Sequence, residues 1–261
     1  MDLGISGKKA LVCASSEGLG KACALSLSRE GVHVYINGRT LETLEATADE
    51  IRAAGGEVTI VQADVSTEEG RKALIEACPD PDILINNNAG PNPVGFAQSS
   101  PNDWDEAIAA NMMAPIFMIQ AVLPGMRERN FGRIINITSA MVKSPSPIMC
   151  VSSAARAGVT ALSKAVSKEA VMDNVTINNM LPEMFDTGRQ RDNAELIVQL
   201  AGVTYEEARE KLVSRITAGR FGQPKEFGDT CPGLALVQSI SRIAVDAVKY
   251  LHNKSLQITQ F

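Results

Sequence analysis

Residues 10–20 read Ala10-Leu11-Val12-Cys13-Ala14-Ser15-Ser16-Glu17-Gly18-Leu19-Gly20. A short apolar run passes into small and polar residues, then into two glycines one residue apart, and a helical pattern follows to about Glu30. This order is that of a strand, a tight turn and a helix start, the opening of a βαβ unit. Gly18 lets a ligand approach the backbone, and Gly20 lets the helix pack close to the strand. The free N–H groups of the first helical turn suit a diphosphate. A Gly-x-Gly alone also suits a turn that binds nothing; its place after a first strand gives it weight.

The alternation continues outward from this stretch. Strands are expected at 32–36, 58–61, 83–85, 133–138 and 175–180, and helices at 41–54, 67–77, 102–126 and 149–172, with Pro115 a candidate kink. Gly55-Gly56 closes the second helix. Repeated strand–helix alternation implies a parallel sheet with right-handed crossovers, and strands apolar throughout suit a sheet covered on both faces. The expected architecture is α/β, a single doubly wound Rossmann domain over residues 1–261. Between about 185 and 217 the pattern changes to two polar helices (193–200 and 204–216). In an open α/β sheet such an insertion covers the ligand crevice; a lid over a small substrate and a plain surface excursion are equally supported. The tail, 231–261, has no glycine after Gly233. Leu236, Ile240, Ile243, Ala247 and Leu251 recur at helical spacing, yet 239–245 also suits a strand, so both remain open.

Composition excludes several function classes. The 261 residues carry 25 Lys and Arg against 30 Asp and Glu, a net charge of −5. There is no excess of cations to displace counterions, and seven Phe, three Tyr and one Trp do not make a base-stacking platform, so no nucleic-acid partner is expected. The five cysteines, at 13, 23, 78, 150 and 231, form no CxxC, and there are two histidines. No metal site is expected, and the thiols read as small buried hydrophobes of a reducing compartment. The N-terminal residues lack the apolar run of a signal peptide, and no stretch of 18 uninterrupted apolar residues occurs. A cytoplasmic location without membrane contact is the expectation.

After the second strand come Asn37-Gly38-Arg39. An acidic residue here would hold the adenosine ribose hydroxyl of NAD. None is present, and Arg39 would instead meet a 2′-phosphate, which favours NADP with NAD as the alternative. Glu17 in the loop opposes this, because a carboxylate repels a phosphate.

With these motifs the chain resembles the short-chain dehydrogenase/reductase family, nearest its 3-oxoacyl carrier-protein reductase-like branch, over about residues 5–230. The family's Thr-Gly-x-x-x-Gly-x-Gly loop falls on 13–20, with Cys13 and Ala14 in its first two places. The resemblance implies cofactor contacts from Ser15, Ser16, Gly18, Leu19, Gly20 and Arg39, and from Asp64-Val65 at the adenine. Asn87, in Asn86-Asn87-Asn88-Ala89, Arg156 at the nicotinamide ribose, and Pro182 and Thr187, in the segment 178–187, complete the set. Glu183 replaces a family glycine. Asn111 matches the asparagine of the family's catalytic tetrad and Ser139 its substrate-orienting serine. The family's Tyr-x-x-x-Lys falls on Ser152-Ser153-Ala154-Ala155-Arg156. Serine is a far weaker acid than tyrosine. Arg156 holds a permanent charge, suited to ribose hydroxyls or an oxyanion and not to proton shuttling. Among other proton donors, Lys143, four residues after Ser139, and Tyr205 in the lid read better as surface residues. The literal Tyr250-x-x-x-Lys254 lies far along the tail.

The resemblance therefore implies an NAD(P)(H)-dependent oxidoreductase that passes hydride to or from a small carbonyl or alcohol substrate, with a degenerate acid/base pair at Asn111, Ser139, Ser152 and Arg156. Two other classes remain: a non-redox, dehalogenase-like enzyme of the same fold, and a non-catalytic nucleotide-binding protein. A homo-oligomer, tetramer or dimer, is also implied.

Overall fold

The computed structural model describes residues 2–236 and 246–248. Seven parallel strands form one sheet in the order β3-β2-β1-β4-β5-β6-β7. They are β1 (Lys9–Val12), β2 (His33–Gly38), β3 (Val58–Gln62), β4 (Ile83–Asn86), β5 (Gly132–Ile137), β6 (Val175–Leu181) and β7 (Asp246–Val248). Strand order reverses between β1 and β4, so their C-terminal ends open the crevice in which such sheets bind ligands.

Neighbouring residues along a strand feed opposite faces, which is why the strands are apolar without alternation. Ala10, Val12, Ile83, Ile85 and Ile135 pack in one core, while Leu11, Leu84 and Ile134 pack in the other. The first core is covered by α1 (Gly18–Arg29) and α2 (Leu41–Ala53) through Leu27, Leu44 and Ile51. The second is covered by α3 (Glu68–Ala77) and the long crossover that follows β4, through Leu74, Met118, Val122 and Met126.

That crossover is not one helix. It runs as α4 (Pro101–Ile108), a π-helical turn (Ala109–Met113) and α5 (Ala114–Glu128). Pro115 lacks an N–H and cannot close the bond to the residue four positions back, and the wider turn falls immediately before it. The whole run, 101–128, is long and apolar enough to cross a membrane by length and composition. Part of that apolar character is the face it buries on the sheet.

After β5 come α6 (Cys150–Ala170) and β6. The insertion expected at 185–217 forms α7 (Gly188–Ala201) and α8 (Tyr205–Val213), around a small core of Ala194, Ala208, Leu212, Ile216 and Phe221. Arg209 ties it to Asp186 at 3.0 Å. Two short helices, α9 (Pro224–Gly228) and α10 (Cys231–Ala235), follow and pack on α1. A Cβ on Gly228 would stand 2.3 Å from Ala22 O, so glycine sets how closely α9 meets α1. The question of helix or strand in the tail resolves in part: β7 pairs with β6 through Asn179–Asp246 to Leu181–Val248. The candidate strand at 239–245, Leu251 and the Tyr250/Lys254 pair lie outside the described residues.

Arg133 is fully buried within β5. It stacks on Phe131 and donates to the carbonyls of Asn174 (2.7 Å) and Leu236 (3.1 Å). Burial pulls its pKa down to about 10, and the bond to Leu236 anchors the end of α10.

The cysteines behave as their sequence context suggests. Cys13, Cys23, Cys78 and Cys231 are buried, and the Sγ atoms of Cys23 and Cys231 lie 2.8 Å apart. Burial pushes the thiols of Cys13 and Cys78 up to about 12. Cys150, at the start of α6, is the only partly exposed one. A chromogenic disulfide reagent added to native protein at pH 8 should therefore titrate one thiol quickly, and a Cys150→Ser variant should lose that fast phase. The other four should react only on unfolding. Rapid reaction of several thiols in the native state would show this packing to be wrong.

Candidate active site

The loop between β1 and α1 is held by one buried asparagine. Asn37, at the end of β2, accepts from Ala14 N through Oδ1 (3.2 Å) and donates from Nδ2 to Val61 O (3.1 Å) and Ala63 O (2.9 Å). Its backbone N–H donates to Ser15 Oγ, and its carbonyl accepts from Ser15 N. From the other side Asn87 Nδ2 donates to Ala14 O at 2.9 Å. Ala14 has φ +43°, left-handed backbone that a non-glycine residue adopts at a cost, so these bonds hold it against its preference. Ser16 is fixed through its carbonyl by Thr47 Oγ1 (2.8 Å). A Cβ on Gly38 would come within 2.9 Å of Ser16 Oγ, so that glycine leaves Ser16 its place.

The two loop glycines have separate roles. Gly18 has φ +59°, and across the cleft from it stands Thr187, whose Cγ2 would lie 3.8 Å from a Cβ there. Gly20 has ordinary backbone, but a Cβ would meet Ala14 O at 2.3 Å and Asn87 Nδ2 at 2.8 Å. Glu17 is exposed, and its side chain makes no capping bond to the leading N–H groups of α1. A cleft of about 360 Å³ opens beside Gly18 and Thr187, with Lys21, Arg191 and Glu17 in its walls. The residues present fit a dinucleotide: backbone bare of side chains at Gly18, a helix N-terminus, and Thr187 opposite.

At the adenine end, Arg39 is exposed just beyond β2, and its carbonyl accepts from Gln62 Nε2 (2.9 Å). Asp64 Oδ1 accepts from Ser66 N (2.8 Å), and Val65 is buried.

Toward the middle of the crevice the remaining residues converge on the end of β5. Ser139 follows it, and its Oγ accepts from Met141 N at 3.1 Å. Ala140 N donates to Pro182 O (2.9 Å), which draws the end of β6 to this turn. Arg156 reaches down from α6: Nη1 donates to Ile137 O (3.0 Å) and Thr138 O (3.2 Å), and Nε donates to Ser152 Oγ (3.3 Å). One guanidinium thus ties the buried Ser152 to the end of β5. Burial first, then repulsion from Arg189, brings the Arg156 pKa down to about 10, so it is charged at neutral pH. Asn111 sits in the π-helical turn; its Nδ2 donates to Ala89 O (3.0 Å), and its buried Oδ1 finds no partner among the described residues. Asn111, Asn87, Thr138 and Arg156 line a common cavity.

This site lies within a stretch, residues 8–196, that matches the family model described as short chain dehydrogenase. The chain belongs to the short-chain dehydrogenase family. It is 35% identical to an uncharacterized oxidoreductase of Bacillus subtilis, YvaG, over 184 residues, 70% of each chain. It is 32% identical over 237 residues to the 3-oxoacyl-[acyl-carrier-protein] reductase of a Synechocystis species, covering 88% of this chain and 90% of that one. Among solved structures it is similar to L-sorbose reductase from Gluconobacter frateurii, determined with NADPH and L-sorbose. The TM-score there is 0.87 at 26% identity, covering 95% of this chain and 98% of that one.

Within this short-chain dehydrogenase, Tyr205 packs against the small core of the 185–217 insertion. Three residues carry no motif signal for the place they take here. The sequence marks Asn37 only as part of a cofactor-selecting tripeptide, and it does not mark Arg189. The third is Asn136, which joins Asn86 (2.9 Å), Asn179 (3.1 Å) and Ser163 (2.9 Å) in a buried polar row beneath the cavity. An asparagine within an apolar strand was the one available signal.

Alanine normally favours a helix over glycine by up to about 1 kcal/mol. At position 20 the sign should reverse. Gly20→Ala should destabilise the protein by about 1–3 kcal/mol through overpacking, read by urea unfolding. A neutral or stabilising effect would mean the loop does not sit against Ala14 and Asn87.

Proposed function

We propose that this protein is an NADP(H)-dependent oxidoreductase that interconverts a small carbonyl compound and its alcohol. The observation that carries the reading is the cradle at the head of α1, where Gly18, Gly20 and Asn87 leave bare backbone opposite Thr187. Relatives support it: the L-sorbose reductase was solved with NADPH, and a Bacillus subtilis relative, 28% identical over 228 residues, is named an NADPH-dependent reductase. Gly18, Gly20, Ser15, Ser16 and Leu19 would hold the diphosphate, Asp64 and Val65 the adenine, and Asn87, Pro182 and Thr187 the nicotinamide half. Arg39, exposed where a 2′-phosphate would lie, supports NADP over NAD. The bound nicotinamide supplies or accepts the hydride.

The chain's own groups then handle the oxygen. Ser139 and Ser152 orient the carbonyl oxygen by hydrogen bonds. Arg156 stabilises negative charge as it develops on that oxygen, directly and by polarising Ser152. The guanidinium stays protonated, so the proton comes from water and Asn111 fixes the wall beside it. A cytoplasmic homo-oligomer is part of this proposal, with Ile108 and Phe117 exposed on the crossover.

Two experiments test it. NADPH should bind, with fluorescence enhancement, more tightly than NADH, and Arg39→Ala should narrow the gap by on the order of 1 kcal/mol. Equal binding of the two cofactors by wild type removes the NADP assignment, and no binding of either removes the reading. The double change Ser152→Tyr with Arg156→Lys restores a positioned general acid and should raise reduction of an activated ketone roughly 10²–10⁴-fold. If the folded, NADPH-binding variant is slower than wild type, Ser152 and Arg156 belong to a different mechanism.

A further inference from the structure

Two guanidinium groups reach the loop after β4 from different elements. Arg156, on α6, has bonds on its Nε and Nη1 edges, but its Nη2 makes none among the described residues. That free nitrogen is 3.4 Å from the point a Cβ on Gly90 would occupy. Arg189, in the first turn of α7, spans the crevice to the same place: Nη1 donates to Gly90 O (3.4 Å) and Nη2 to Pro91 O. Neither arginine forms an ion pair among the described residues. The negative charge acting on Arg189 is Asp192, in its own helix and beyond ion-pair distance. The two groups repel each other, and both are lowered mainly by burial.

Two half-buried like charges beside a residue without a side chain are costly unless an anion joins them. The free Nη2 lies on the same edge of the guanidinium as the Nε that holds Ser152, so an anion there would sit next to the serine that faces the reacting oxygen. A carboxylate would offer one oxygen to the uncommitted Nη2 of Arg156 and the other to a remaining N–H of Arg189.

We infer that Arg156 and Arg189 form a carboxylate-binding pair over Gly90, and that the substrate is a small oxo acid or the matching hydroxy acid. The inference rests on the oxidoreductase reading for the reaction, though not for the binding. In the reducing direction the ketone carbon gains hydride from the reduced nicotinamide, its oxygen gains a proton from water, and the carboxylate is unchanged. Gly90 is the space the carboxylate occupies, and the arginine on α7 gives the lid a role in recognition.

The test compares wild type, Arg189→Gln and Arg189→Lys. Short 2-oxo and 3-oxo acids are paired with their methyl esters, and NADPH oxidation is followed. Wild type should prefer an acid to its ester. Arg189→Gln should lose roughly 10- to 100-fold in kcat/KM for the acid, the worth of a charged hydrogen bond, with the ester unchanged and Arg189→Lys between. Binding is read separately by calorimetry: the acid and its hydroxy acid against NADP-loaded protein, and NADPH against each variant. Acid binding should weaken in Arg189→Gln while NADPH binding stays within about twofold, since the pair is assigned to substrate. Loss of NADPH binding in that variant would assign Arg189 to the cofactor's phosphates and overturn the inference. Equal use of acids and esters would overturn it while leaving the oxidoreductase reading intact. Acid binding that depends on Arg189 without turnover on any carbonyl would uphold the anion pair and sink the reaction.

Discussion

The side chain of Asn37 is the constraint on which the nucleotide end depends. It is buried at the end of β2, and its amide bonds to the loop after β1 on one side and to the end of β3 on the other. Without it, the left-handed turn at Ala14 would relax toward ordinary backbone, and Ala14 O would leave Asn87. Gly20 then closes the arrangement, because α1 can begin directly over Ala14 O only where no Cβ intervenes. Three strands, a loop and a helix are thus fixed by one amide with its hydrogen-bonding capacity used on several partners.

A second polar device lies under the middle of the crevice. Asn86, Asn136 and Asn179 are register partners across β4, β5 and β6, and their side chains bond in sequence. Buried amides are costly when unpaired and rigid when paired. The row therefore holds the three strand ends that carry the Asn87–Asn88 loop, Ser139 and Pro182 in a common register. The π-helical turn places Asn111 against the same cavity.

Arg156 links fold and chemistry. Its guanidinium bonds two carbonyls at the end of β5, a serine one turn away on α6, and faces Gly90 with its remaining edge. A lysine has one ammonium and would not make these contacts at once. The arginine brings a charged group to the end of β5.

The sequence by itself determined the α/β class, the alternation of strands and helices up to β6, and the glycine loop, and its motif spacing put forward Asn87, Asn111, Ser139, Ser152 and Arg156. These are written in local periodicity and in motif spacing, which depend on neighbours along the chain. It left open helix or strand in the tail, lid or surface excursion for the insertion, and whether Pro115 interrupts the crossover, since each turns on contacts distant in the chain. Only the tertiary structure decided what Asn37 and Arg189 do. Asn37 acts through contacts 23 to 26 residues away, and Arg189 meets Gly90 across 99 residues. Hydrogen-bond partners so distant in the chain are set by how the strands and loops stack in space, and no spacing in the sequence records them.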